Sequence, residues 1–406
     1  MKHLCGARTL VLAGWCVIAG GCNMTQLAVE TQAEVMEQAF PAIEEQTDYE
    51  FARDGIPANL VQIDGLLKVQ PDNERLLMLA TQGFTSYAYG FVEDDMQRAE
   101  LAGDLEASDR YRARAREMYL KGRDYGLTLL RLMQSDFPEE LPRDPDQLKK
   151  VLNELFTEPE QAPALFWTGN AWGSAINISR DDPALVADLP FTTVFVERSV
   201  ELDEKYYHAA GHVFLGVANS ALGESMGGDP EKGRGHLEKA LALTGRKATL
   251  VQVNYAQAYA VQKNDKALFT KLVNEAIETP IPKGDLALPN TIAKRRAERL
   301  LAQVDTLIMT PLEDLPPAPA DAPSDAPPEG APSDGAAPES SATPPAAEPS
   351  KAPAPAAQPA QGGKPAPAPA AKPAPSPAAK PAPAPAGKPT PASPAAPKPV
   401  PAKPAQ

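Results

Sequence analysis

The sequence predicts an all-α body, and three observations carry the prediction. Apolar residues recur at three- and four-residue steps through most of residues 25–312. No segment sustains period-two alternation, and no Asn-Gly hairpin signal occurs. The helical segments follow one another in pairs, with Pro, Gly or Asp at the turns between them. A body of about 290 residues is long enough to bury a sizeable core.

The chain starts MKHLCGARTLVLAGWCVIAGGCNM. Lys2 and Arg8 make the start basic, and Thr9 to Ala19 form an apolar run. That run is shorter than the ~20 residues needed to span a bilayer. A basic start, a short apolar core and the small residues Ala19-Gly20-Gly21 are marks of an export signal. Cys22 follows directly, which resembles a bacterial lipoprotein signal. Residues 1–21 would then be removed and Cys22 acylated. Ala19 departs from that pattern, which usually has Leu there. An ordinary secretory signal with a free thiol is the alternative. Losing Cys5 and Cys16 leaves one cysteine, so no internal disulfide forms.

The first helical pair is read from PANLVQIDGLLKVQPDNERLLMLATQGFTSYAYGFVEDD, residues 57–95. Pro71 interrupts it, and Asp72 or Asn73 caps the second helix. A long helix follows in DRYRARAREMYLKGRDYGLTLLRLM. Then APALFWTGNAWGSAINIS pairs with FTTVFVERSVELD, and YYHAAGHVFLGVANSALG with PEKGRGHLEKALALTG. TLVQVNYAQAYAVQKN pairs with DKALFTKLVNEAIET, and NTIAKRRAERLLAQVDTLI closes the body.

The glycine-rich stretch FLGVANSALGESMGGDPEKGRGHLEKALAL, residues 214–243, raises the question of a phosphate loop or a nucleophile. A phosphate loop needs Gly-Lys-Ser/Thr at a helix start after a strand. Here Gly228 meets Asp229-Pro230 after a helix. Gly223-Glu-Ser-Met-Gly227 matches the spacing of a nucleophile elbow, but Ser225 follows a helix, and the only later histidine, His236, sits on the adjacent one. The stretch reads as a turn, with Asp229 as helix cap, Pro230 in the first helical position and Gly223, Gly227 and Gly228 supplying backbone freedom.

Repeats decide the architecture. FVERSVELDEKYYHAAGHVFLG ends one helix in small-apolar-x-apolar-Asp and opens the next toward Leu-Gly. That is the rhythm of a tetratricopeptide boundary. HLEKALALTG ends similarly, and LLKVQPDNERLLMLATQGF is looser. Ser199, Gly216 and Ala240 fit close approaches of helix backbones. The expectation is a tetratricopeptide-like α-solenoid of about four degenerate helix pairs. The segments LFWTGNAWGSAIN, the long run 196–244 and VNYAQAYAVQKNDKALFTKLVNEAIE together resemble the T component of TRAP transporters, from about Leu27 to Leu307. The resemblance is most specific at Gly-Gly-Asp-Pro-Glu-Lys, residues 227–232. It implies a lipid-anchored periplasmic protein, not an enzyme, with no cofactor. The implied partner is a periplasmic solute-binding protein and the implied cargo a small apolar organic acid. Self-association is a further expectation. The alternative is an envelope scaffold lipoprotein that binds protein partners.

Trp167, Asn170 and Trp172 lie on one predicted helix; Trp167 and Asn170 share a face and Trp172 lies to one side. With Tyr206 and Tyr207 from the next helix start, they are the candidate lining of an apolar ligand site. Tyr87, Tyr89 and Phe91 add ring area from the first pair. Packing between repeats is the competing role. His208 and His212 are four apart, but zinc wants three or four ligands, so ordinary helix histidines are expected and no metal is assigned. The basic run 294–299, KRRAER, reads as a solvated face opposite an acidic neighbour.

From Pro316 onward there is no aromatic residue, and 30 of the 45 prolines lie there. Residues 313–406 are therefore expected to be disordered, an extended Pro/Ala/Lys-rich arm that spans or touches the envelope. From Pro316 onward there are six acids and seven lysines, so the net charge of −14 belongs to the rest of the chain. An acidic body excludes nucleic acid as a partner. Asn23 after Cys22 slightly favours the outer membrane.

Overall fold

The computed structural model describes residues 24–220 and 228–308. The expected signal, Cys22, Ser225 and the tail lie outside them, as do Gly223 and Gly227. Among the described residues there is no strand, so the all-α expectation is met.

The helices run in chain order: α1 (24–39), α2 (Pro41–Glu44), α3 (Tyr49–Val69), α4 (Glu74–Tyr87), α5 (Glu93–Leu101), α6 (Leu105–Met133) and α7 (Pro145–Leu155). They continue as α8 (Ala162–Ile178), α9 (Pro183–Val186), α10 (Leu189–Leu202), α11 (Tyr206–Ser220) and α12 (Pro230–Leu243). The last are α13 (Leu250–Tyr255), α14 (Lys266–Glu278), α15 (Ala287–Leu301) and α16 (Val304–Leu307). The expected pairs pack: α3 on α4, α8 on α10, α11 on α12 and α13 on α14. The long α6 packs on both α4 and α8 and so joins the first pair to the second. α7, which the sequence pattern does not announce, covers α10.

Short polar side chains start the helices. Asp48, Asn73, Asp104, Asp144, Asp229 and Asp265 each accept a backbone N–H from the first turn of α3, α4, α6, α7, α12 and α14. Such a cap satisfies a donor that the helix itself cannot and contributes about 1 kcal/mol. Asn73, rather than Asp72, caps α4. α3 starts at Tyr49, eight residues before the Pro57 that opens the sequence pattern; the buried stripe of Tyr49, Ala52, Ile56 and Leu60 runs on both sides of the proline, and burial offsets a cost that the Asp48 cap alone could not. Pro57 sits inside the helix.

Close approaches fall at small residues. Ser199 donates to the Ala162 carbonyl at 2.8 Å, tying α10 to the start of α8. A Cβ on Gly216 would come within 2.5 Å of Leu237, and one on Gly233 within 2.7 Å of the Gly216 carbonyl. α11 and α12 thus touch backbone to backbone.

Three regions depart from the α pattern. Residues Ala88–Val92 and Ala256–Ala260 form π-helical turns that continue α4 into α5 and extend α13. At the start of α11, Tyr207, His208 and Ala209 are left-handed, with φ of 45°, 56° and 59°. Each such residue costs roughly 1–2 kcal/mol. The buried residues form two large apolar clusters. One is built from α1 to α10 with Leu288 and Ile292 of α15, the other from α11 to the end of the described body. A smaller aromatic cluster holds Phe166, Trp167, Val196 and Leu215.

Candidate ligand-binding cavity

Residues from both large clusters wall one cavity of about 1480 Å³. Ligand pockets for small molecules commonly run ~300–1,000 Å³, so this one has room for a larger guest. α3, α4, α8, α11, α13 and α15 each contribute one helical stripe. On α11 the stripe is Ala210, Val213, Phe214 and Val217; on α15 it is Leu288, Ile292 and Arg296. The three- and four-residue spacing is the same as that of a core stripe. Here the stripes face one another across space.

Of the residues singled out in the sequence, Trp167, Asn170 and Tyr207 line this cavity, and so do Tyr87, Tyr89 and Phe91. Tyr206 stands behind: its hydroxyl accepts from the Trp167 indole N–H at 2.9 Å and fixes that ring. Burial pushes the Tyr206 hydroxyl up to about 12. Trp172 points elsewhere. It packs on Phe191 and Phe195, ring centres 6.2 and 6.4 Å away, with the Arg123 guanidinium over its ring. Five residues from Trp167 is about 140° around a helix, which carries it to the α10 side.

The left-handed turn decides where Tyr207 and His208 go. Tyr207 faces Glu44 and Gln82, and His208 Nε2 lies 3.4 Å from Asp285. Burial raises the Glu44 carboxyl above its ordinary value. His208 and His212 therefore do not share a helical face. His212 instead meets His236 of α12, Nδ1 to Nδ1, at 3.0 Å. Burial lowers both of these imidazoles. Among the described residues no cluster of three or more His, Cys, Asp and Glu side chains is placed to hold a metal.

The run 294–299 is not the solvated face that the sequence suggested. The Arg296 side chain is 5 % exposed and the Arg299 side chain 10 %. Arg299 Nη1 meets Asp94 at 2.5 Å, and Arg296 Nη2 meets Glu93 at 3.1 Å. The Tyr119 hydroxyl donates to the other Glu93 oxygen. The acidic neighbour was foreseeable, but its burial was not. It depends on the π turn at Ala88–Val92, which rephases α5 and aims Glu93 and Asp94 at α15. Such turns often mark functional sites. The other π turn, Ala256–Ala260, also reaches the cavity, through Gln257 and Ala258.

The described body is thus all-helical, with packed pairs around an apolar-walled cavity. Residues 45–308 match the family described as TRAP transporter T-component. The chain belongs to that family, a transport accessory family. It is also similar to an uncharacterized protein of Treponema pallidum (strain Nichols), 23 % identical over 312 residues, which span 72 % of this chain and 95 % of that one. Among the described residues no helix is long and apolar enough to cross a membrane.

Proposed function

We propose that the chain is a lipid-anchored periplasmic accessory component of a TRAP-type transport system. In this reading acyl chains on Cys22 hold it to a membrane, with the outer membrane slightly favoured. The tetratricopeptide-like body docks a periplasmic solute-binding protein, and the cavity receives a small apolar organic acid. Trp167, Asn170 and Tyr207 form part of the wall, Tyr206 holds Trp167, and Trp172 serves packing. The observation that carries this reading is the cavity itself. A cavity of about 1480 Å³ whose walls are mostly apolar, set between the two clusters, is the form that small-molecule sites take.

The test is a pull-down with the full chain from detergent-solubilised envelopes, read by mass spectrometry. Recovery of a periplasmic solute-binding protein is expected. Recovery of cell-wall or outer-membrane proteins alone would replace the transport reading with that of an envelope scaffold.

A further inference from the structure

We propose that Arg296 is the head-group receptor of the cavity: an anionic group of the ligand rests against its guanidinium, and the apolar remainder runs along α15 toward Trp167 and Tyr207. The proposal rests on the reading of the cavity as a ligand site.

Three arginines border the cavity among the described residues. Arg112 is occupied by Glu100 and Asp109 at the surface, and Arg180 by Asn177. Arg296 alone is buried, at 4 % exposure. Its Nη2 serves the Tyr89 carbonyl and Glu93, but its Nε has no acceptor among the described residues. A buried N–H of a cation without an acceptor is costly, and a carboxylate in the cavity supplies one.

The guanidinium is also held in place. It lies over the Tyr89 ring at 3.8 Å, a cation–π contact that fixes it. Tyr89 belongs to the first π turn, and its hydroxyl accepts from Asn254, just before the second, at 3.3 Å. Both walls of the cavity therefore converge on this pole.

The surrounding charge permits an anion. Both oxygens of Glu93 are engaged, one by Tyr119 and one by Arg296. Asp94 is engaged by Arg299 and Arg295. Three cations thus stand against two buried acids, with the more exposed Glu50 at 3.7 Å from Arg295. The other pole is acidic: Glu44 lies there beside Tyr207, with Asp285 next to His208. An anion is repelled from that end and attracted to Arg296, which fixes the ligand's direction. From Leu288 to Arg296 the wall runs eight residues, about 12 Å at 1.5 Å per residue. That length suits an elongated chain.

The test is calorimetric titration of the full chain with decanoate and with decan-1-ol, which share a chain and differ in charge. Decanoate is expected to bind about tenfold tighter, equivalent to about 1.4 kcal/mol. Arg296→Gln, which removes the charge, should abolish that preference through the loss of decanoate affinity. Should that variant fail to fold, Tyr89→Leu, which removes the stacking ring, should weaken decanoate selectively. Equal affinity of the native chain for the two probes would overturn the assignment of Arg296 and leave the cavity as a ligand site. Binding of neither would overturn the ligand reading and this proposal with it.

Discussion

His212 and His236 show how one contact sets the charge state of a residue. With the Nδ1 atoms 3.0 Å apart, one ring must donate and the other accept, so the pair is stable when neutral. Around it lie Glu204, 3.8 Å from His212 Nε2, with Lys239, Lys232 and Glu197. Burial lowers both imidazoles in the folded chain, whereas the unfolded chain titrates near 6.5. On acidification the unfolded state takes up protons first. The pair's contribution is thus complete above about pH 6.5 and declines below it. Glu44 acts oppositely at lower pH, because its raised carboxyl is relieved by protonation. Melting temperature should therefore fall between pH 7.5 and 5.5, and in His236→Gln the slope should drop to roughly half, one imidazole remaining. An unchanged slope in a pH series of thermal melts would refute the assignment.

At the scale of elements, two glycines of α12 make opposite predictions. Glycine in a helix interior costs about 1 kcal/mol relative to alanine. A methyl group on Gly235 would meet nothing within 4 Å, so Gly235→Ala should stabilise by up to about 1 kcal/mol. Gly233 meets the Gly216 carbonyl and the Ser220 backbone nitrogen, so Gly233→Ala forces α11 from α12 and should cost about 1–3 kcal/mol. Urea denaturation of the two variants reads the difference, and a stabilising Gly233→Ala would contradict the close approach. The starts of α4 and α12 were legible, because their Asn and Asp caps act within one turn of chain; the start of α3 and the whole of α7 were not. The π turns and the left-handed turn at Tyr207–Ala209 were not. Nothing in YYHAAGHVF differs from a helical stretch, since the turn is held by Trp167, Asp285 and the Glu44 side, all distant in sequence.

For the whole molecule, the ion network joins the two halves of the body. Arg299 and Asp94 are 205 residues apart, and the Asp94 side chain is only 2 % exposed. Removing one member of a buried pair typically costs about 3–5 kcal/mol, because the other charge stays buried. Asp94→Asn should lower the unfolding free energy by that amount in one transition, since α15 packs on both clusters. A loss of a few tenths of a kcal/mol would show that the network is solvated and that α15 is held by its apolar side alone.

The sequence by itself determined the all-α class, the order of the expected helix pairs, the caps of α4 and α12 and the small residues at the crossings, because each is encoded within one or two turns of chain. It also pointed to Trp167, Asn170 and Tyr207. Only the tertiary structure decided which stripes enclose a cavity and which pack solid, since a lining stripe and a core stripe have the same apolar period. It alone sent Trp172 to the α10 packing. It alone turned a basic run into a buried guanidinium facing that cavity, because the burial of Arg296 depends on acids some two hundred residues earlier in the chain.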